Sequence, residues 1–403
     1  MSPCGIDTAT SWDAVCNGRS GIGTITQFDA SNYATQFAGE CTGFDAEKYI
    51  ERKRLREGDR FIHLAVAAAQ MAVDESGFVN LSDEVKERTG TIIGVGIGGL
   101  SLIENQTLVL HEKGPRRVTP YFIPATITNL AAGTVSMRFG MKGPSYATTS
   151  ACSSGAHAIG EAFRWIQRGD IDMCVAGGAE AAVTGLAIAG FGSMRALSKR
   201  NDEPTRASRP FDKDRDGFVL SEGAGMLMLE ERDMAMRRGA TIYAEVVGYG
   251  ATADAYHLTM PAPEHAGAQR AMRNAIADAR VAPSDISYLN AHGTSTPAGD
   301  TLELFAATKV FGDHAKNGML ISSTKSATGH LLGAAGGLET VFCALALRDQ
   351  IAPPTINLEN VDDEAVGYDL VANEARKAKL SVALNNSFGF GGTNVALVLR
   401  RHE

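Results

Sequence analysis

A chain of 403 residues is long enough for a large core, and its formal net charge of −8 denies it the basic face that general nucleic-acid binding needs. Its 44 glycines against 13 prolines point to tight turns and close backbone approaches rather than disordered filler. The cysteines, Cys4, Cys16, Cys41, Cys152, Cys174 and Cys343, show no Cys-x-x-Cys pair and no metal-like spacing, which predicts reduced thiols and no metal centre. The first basic residue is Arg19 and the longest apolar run, 181–194, is short and glycine-rich. These features predict a cytoplasmic protein with neither membrane nor nucleic-acid partner.

Taken in order, residues 1–7 read as a loop and 10–16 as a short helix, with no strand before them. Residues 61–73 form an alanine-rich buried helix behind the basic cluster Arg52, Lys53, Arg54 and Arg56. Residues 91–99 read as a buried strand running into a glycine turn. That turn lacks the register and the following acidic residue of a dinucleotide site, so packing is the better reading. Gly114, Pro115, Arg116 and Arg117 make a second basic turn, and 120–124 an apolar loop. Beyond Cys152, the residues Ala156, Ile159, Phe163 and Ile166 recur at helical spacing until Gly169 and Asp170 stop the pattern. Strands over 173–180 and 224–230 flank a charged loop, 209–218, whose Asp-x-Asp pattern lacks the other ligands of a calcium loop.

A second half starts near residue 242 and repeats the coarse order of the first. It runs strand (243–249), helix (266–280), strand (286–290), helix (301–311), strand (319–323), glycine-bearing helix (331–347) and a final strand pair. No Pro/Gly/Ser linker divides the chain. The alternation predicts an α/β fold with parallel sheets covered on both faces, built from a duplicated unit with halves 1–241 and 242–403.

Four stretches carry chemistry. Cys152 sits among small residues at a helix start, where unpaired N–H groups and the helix dipole lower a thiol pKa; the same residue also reads as a small buried hydrophobe, and the segment alone leaves both open. His292 follows a strand in the polar loop 290–300, Lys325 and His330 lie in 322–330, and 385–394 is a glycine turn between strands. Singly, these are a structural histidine, a solvent-facing lysine and a hairpin. Together they supply a nucleophile, two imidazoles, an ammonium and backbone N–H groups for an oxyanion, the inventory of acyl transfer.

The motifs Thr-Ser-Ala-Cys-Ser-Ser-Gly around Cys152, Asn-Ala-His-Gly-Thr-Ser-Thr-Pro-Ala-Gly-Asp around His292, Ser-Ser-Thr-Lys-Ser-Ala-Thr-Gly-His around His330 and the terminal Asn-Ser-Phe-Gly-Phe-Gly-Gly-Thr-Asn span almost the whole chain. In these the sequence resembles the β-ketoacyl-acyl carrier protein synthases, condensing enzymes of the thiolase superfamily, and most closely the type II synthases of bacterial fatty-acid synthesis. The resemblance implies a five-layered α-β-α-β-α fold of two pseudo-symmetric halves. It implies decarboxylative condensation of an acyl thioester with malonyl-acyl carrier protein, in a homodimer without a cofactor of its own, the phosphopantetheine arriving on the carrier protein.

By the same resemblance Cys152 carries the acyl chain, His292 and His330 promote decarboxylation, and the N–H groups of Cys152 and Phe390 form the oxyanion hole. Lys325 with Glu339 keeps charge and orientation near His330. Thr294 and Thr296 match positions that bind the phosphopantetheine arm. Ile97, Phe122, Phe191 and Phe388 match substrate-lining positions, and Phe390 also matches a gating phenylalanine. Lys53, Arg56, Arg116, Arg117 and Arg195 match the surface that docks acidic carrier proteins, while Glu57 stands where the family pattern often has another basic residue.

The family pattern also has a strand before Ser2-Pro3-Cys4-Gly5, which predicts either a start placed late or a truncated paralogue of impaired activity. Rival members of the fold fit less well. A thiolase needs a second cysteine where Phe390 stands, an initiating synthase an asparagine where His330 stands, and a chain-length partner subunit lacks the nucleophile. A Cys-His hydrolase has no use for Lys325 and a second histidine. A ketosynthase of a polyketide-type pathway stays as the alternative.

Overall fold

The computed structural model describes residues 1–402. In the first half the order is α1 (Thr8–Cys16), β1 (Ile22–Thr24), β2 (Phe37–Gly39), α2 (Arg60–Ser76), α3 (Asp83–Glu87), β3 (Thr89–Gly94), α4 (Leu100–Lys113), α5 (Phe122–Thr126), α6 (Leu130–Phe139), β4 (Ser145–Thr148), α7 (Ser154–Gln167), β5 (Met173–Glu180), α8 (Gly185–Ser193), β6 (Gly223–Glu230) and α9 (Arg232–Arg237). The second half runs β7 (Glu245–Ala253), α10 (Ala266–Ala279), β8 (Tyr288–Asn290), α11 (Gly299–Phe311), α12 (His314–Asn317), β9 (Leu320–Ser322), α13 (Lys325–Thr328), α14 (Ala335–Asp349), the short pair β10 (Ile351–Ala352) and β11 (Arg376–Lys377), then β12 (Val382–Gly389) and β13 (Thr393–Arg400).

The two main sheets are built on one plan. The first has the order β6-β5-β3-β4 and the second β7-β13-β12-β8-β9. In each, the central strand pairs in parallel with one neighbour (β5 with β3, β12 with β8) and antiparallel with the hairpin-like partner on its other side (β6, β13). This corrects the expectation of wholly parallel sheets: β13 returns antiparallel to β12 through a tight turn, and β6 returns antiparallel to β5 after a long excursion through α8.

Helices α7 and α14 pack on each other and on both sheets, forming the central layer. Helices α2 and α6 cover the outer face of the first sheet, and α10, backed by α11, that of the second. The five-layered order implied by the motifs is therefore present. Glycine permits its tight centre. A Cβ on Gly155 in α7 would lie 2.7 Å from the Gly337 nitrogen of α14, and one on Gly225 in β6 would lie 2.3 Å from the backbone of Leu338.

Several boundaries differ from the sequence expectation. Residues 120–124 are not a loop but lead into α5, and α6 follows where no helix is predicted. The helix expected over 331–347 begins four residues later at Ala335, after a tight turn at Leu332–Ala334. That turn lets the chain leave His330 and still enter the crowded central layer.

β13 is flanked by strands on both sides, whereas β6 ends its sheet. Beside β6 lies a groove of about 490 Å³, lined among others by Met1, Met226, Met228, Tyr243 and Leu345. The Met1 ammonium is buried at its end and donates to the Ala224 carbonyl at 2.9 Å. Burial lowers the pKa of that ammonium. A strand matching the eight residues of β6, fused in front of Met1 with alternating apolar side chains, is expected to pair there and raise the thermal midpoint in calorimetry. An unchanged midpoint would show that the groove takes no strand.

Candidate active site

The candidate nucleophile stands on a strained step between β4 and α7. Ala151 adopts a left-handed φ of 51°. Such a conformation costs a non-glycine residue about 1–3 kcal/mol and persists where neighbours over-determine it. Here Ser154 Oγ accepts from the Ser150 N–H at 2.9 Å and donates to the Ala151 carbonyl at 2.7 Å. Thr393 Oγ1 donates to the Ser150 carbonyl at 3.0 Å, and Ser153 Oγ–H faces the carbonyls of Ser387 and Thr393. The step is thus fastened to the β12–β13 hairpin of the other half.

Cys152 is 9% exposed, and its Sγ lies 3.0 Å from Nε2 of the buried His330. The His330 backbone is clamped alongside the segment before β6: its N–H donates to Val219 at 2.8 Å and its carbonyl accepts from Ser221 at 3.0 Å. The His292 ring centroid is 5.4 Å from that of His330 and 5.7 Å from Phe388. Phe218 packs edge-on against His330 at 5.5 Å, and Phe191 edge-on against Phe218 at 5.3 Å. Lys325, 1% exposed, forms an ion pair with the equally buried Glu339. Phe390 stands exposed on the hairpin between β12 and β13.

Electrostatics leave the thiol and the two imidazoles uncharged at rest. Burial pushes the Cys152 thiol up to about 11, against the pull of the Lys325 ammonium and the N–H groups of Phe390 and Cys152 itself. Burial, reinforced by Lys325, holds both His330 and His292 well below the ordinary histidine value. Desolvation is the largest influence on the thiol, in the direction opposite to that expected from a helix start alone. The resting pair is a thiol and a neutral imidazole.

The remaining motif residues surround this centre at greater range. The hydroxyls of Thr294 and Thr296 lie 3.2 Å apart, half-buried, in the loop that leaves His292. Ile97 is 37% exposed on the turn after β3, and Phe122 opens α5 half-buried. Lys53, Arg56, Arg116, Arg117 and Arg195 are all exposed. Arg56 stacks 5.5 Å over Tyr121, joining its segment to the one that carries Arg116 and Arg117, while Lys53 pairs with Glu51 at 2.8 Å. Glu57 pairs with Arg54 at 3.1 Å and so neutralises part of the basic cluster.

Glu303 belongs to the site and is not singled out by the motifs. Its buried carboxylate accepts the N–H groups of His292 and Gly293 and the side-chain amide of Asn386, each at 2.9 Å, fixing the His292 loop. The available signal was a charged residue on the buried stripe of α11, beside Leu304 and Ala307. Several buried polar atoms nearby have no protein partner: both side-chain atoms of Asn290, Oδ1 of Asn385 and Asn386, Oγ of Ser387 and Oε2 of Glu339. The oxygens among them suit a water or a monovalent cation rather than zinc, and the Asn290 amide nitrogen can only donate. Among the described residues no cluster of three His, Cys, Asp or Glu is placed to hold a metal, and no helix is long and apolar enough to cross a membrane.

Comparison with known proteins agrees with this geometry. Residues 1–235 match the family model of the β-ketoacyl synthase N-terminal domain, and residues 243–359 that of the C-terminal domain. The 3-oxoacyl-[acyl-carrier-protein] synthase 2 of Vibrio cholerae is 51% identical over 402 residues, covering 100% of this chain and 97% of its own. A β-ketoacyl synthase structure from Burkholderia phymatum superposes with a TM-score of 0.91 at 34% identity, covering 100% of this chain and 97% of that one. A type II polyketide ketosynthase, AntDE, solved with its acyl-carrier protein AntF, superposes with a TM-score of 0.90 at 31% identity and the same coverage. With both family models matched in order and the nucleophile, imidazole pair and buried ion pair assembled in one centre, the chain belongs to the β-ketoacyl synthase family.

Proposed function

We propose that this enzyme lengthens acyl chains by two carbons, condensing an acyl thioester with malonyl-acyl carrier protein in fatty-acid synthesis. The observation that carries the reading is the contact of Cys152 Sγ with His330 Nε2 at 3.0 Å, with His292 beside it. Cys152 attacks the carrier-bound acyl carbonyl. Its proton passes to His330 and on to the departing pantetheine sulfur as one C–S bond forms and the other breaks. The N–H groups of Cys152 and Phe390 hold the oxyanion, each donor contributing about 2.7–4 kcal/mol.

Malonyl-acyl carrier protein then loses CO₂. Neutral His292 and His330 donate to its thioester oxygen, stabilising the enolate as the C–C bond to the carboxylate breaks. Their lowered pKa values suit this role, because an imidazolium is not needed for donation and a neutral ring leaves the negative carboxylate free to depart. The enolate carbon attacks the acyl-cysteine, and the Cys152 sulfur leaves and regains a proton. The net exchange is acyl and malonyl carrier proteins plus one proton for β-ketoacyl carrier protein, CO₂ and free carrier protein.

Thr294 and Thr296 bind the pantetheine arm. Phe388 and Phe191 wall the centre, Ile97 and Phe122 line the acyl tunnel, and Phe390 gates the mouth. Lys53, Arg56, Arg116, Arg117 and Arg195 dock the acidic carrier protein, and the reaction calls on no further cofactor. A second copy of the chain covers the open edge of β4 and the exposed Ile123, Ile127 and Met137 near it. The six free cysteines suit a cytoplasmic setting. A polyketide role is less favoured, because the fatty-acid relative is 51% identical and the polyketide ketosynthase 31%.

The test is to mix the enzyme with acyl- and malonyl-loaded carrier proteins and follow product mass. A β-ketoacyl product two carbons longer is expected; release of free acid alone would mean a hydrolase. Reversing Arg116 and Arg117 to Glu should raise KM for carrier-bound substrate on the order of tenfold and leave a small acyl thioester unaffected.

A further inference from the structure

Glu180 ends β5 with no exposed surface, and it makes no ion pair among the described residues. Its carboxylate is held instead by backbone amides from two remote stretches. On one side are Gly96 (2.8 Å to Oε2), Gly98 (3.1 Å to Oε1) and Ile97 (3.2 Å to either oxygen), the turn that leaves β3 and presents Ile97. On the other is Gly333 at 3.2 Å, three residues past His330. The stretches meet so closely that a Cβ on Gly333 would lie 2.3 Å from the Gly96 nitrogen, and one on Gly96 2.6 Å from the carboxylate. The same Cβ would also approach the Ala151 carbonyl, next to Cys152, at 3.4 Å.

A buried carboxylate without a cation is a costly way to fill space. Only an all-acceptor group, though, can receive amide N–H groups from both sides at once. A glutamine would turn a donor toward donors.

We propose that Glu180 is a positioning residue that sets acyl-chain specificity: by tying the Ile97 turn to the His330 segment, it fixes the spacing between the tunnel wall and the Cys152–His330 pair. The proposal rests on the condensing reading above. On that reading Ile97 lines the acyl tunnel, so a long chain on Cys152 would bear on its turn and a short one would not, and loosening the tie would act on long chains selectively.

The test has two arms. In hydrogen exchange on the unaltered protein the amides of Gly96, Ile97, Gly98 and Gly333 should be protected, and in Glu180→Gln both stretches should lose protection together. Unprotected amides in the unaltered protein would overturn the proposal, whatever the variant's folding. In the second arm, Cys152 acylation by plain acyl thioesters of increasing length is followed by intact mass. Glu180→Gln should lower the long-to-short ratio of rates by about tenfold, with Glu180→Asp intermediate, while malonyl decarboxylation persists. An unchanged ratio, or an equal loss at every length, would overturn it. Failure of the unaltered enzyme to make β-ketoacyl product would instead overturn the condensing reading and leave both arms readable.

Discussion

Cys152→Gln is expected to abolish condensation, with a loss on the order of 10³-fold or more, while malonyl decarboxylation continues. The substitution removes the sulfur proposed to carry the acyl chain. It leaves His292 and His330 in place, and these are the groups assigned to the loss of CO₂. CO₂ release and product mass read the two activities separately. Persistence of condensation would move the nucleophile elsewhere, and the alternatives are poor: Cys41, Cys174 and Cys343 are buried in the core, while Cys4 and Cys16 sit at the start of the chain. Loss of both activities would mean that the cysteine organises the centre rather than reacting within it.

Lys325→Met is expected to affect stability and chemistry together. Breaking a buried ion pair from one side costs about 3–5 kcal/mol, because Glu339 is left without its partner. The ammonium also lowers the pKa of His330 and of Cys152. Its removal therefore raises both: the imidazole protonates at higher pH, and the acid limb of the rate profile moves upward. The thiol becomes still harder to ionise. Adding Glu339→Gln to Lys325→Met should restore much of the melting temperature and none of the rate. Calorimetry and the pH profile of condensation check the two parts. A lowered melting temperature with an unmoved profile would reduce Lys325 to a structural residue.

How much of this was legible beforehand depended on distance along the chain. The helix after Cys152, the strand over 173–180 and the duplicated order of the halves follow from local periodicity, and the four motifs are contiguous strings. What the string does not carry is contact across the halves. The ties of the Cys152 step to Ser387 and Thr393 join residues more than two hundred positions apart. Glu303 and Glu180 act through backbone amides, which have no residue-type signature at the donor end. The direction of the thiol pKa is hidden for the same reason: the dipole is a property of the helix in hand, whereas desolvation comes from elements packed around it. The parallel-sheet expectation failed because strand alternation does not show in which direction a returning strand joins its neighbour.

The uncharged pairing of Cys152 with His330 also bears on the lifetime of the enzyme. Oxidation of a cysteine by peroxide proceeds through the thiolate and needs access. Burial holds the Cys152 thiol above the ordinary cysteine value and leaves 9% of the residue exposed, so between turnovers the sulfur is protonated and sheltered. Between turnovers it rests in a form that oxidants and alkylating agents attack slowly, so selectivity for acyl donors and durability against oxidative loss come from the same burial.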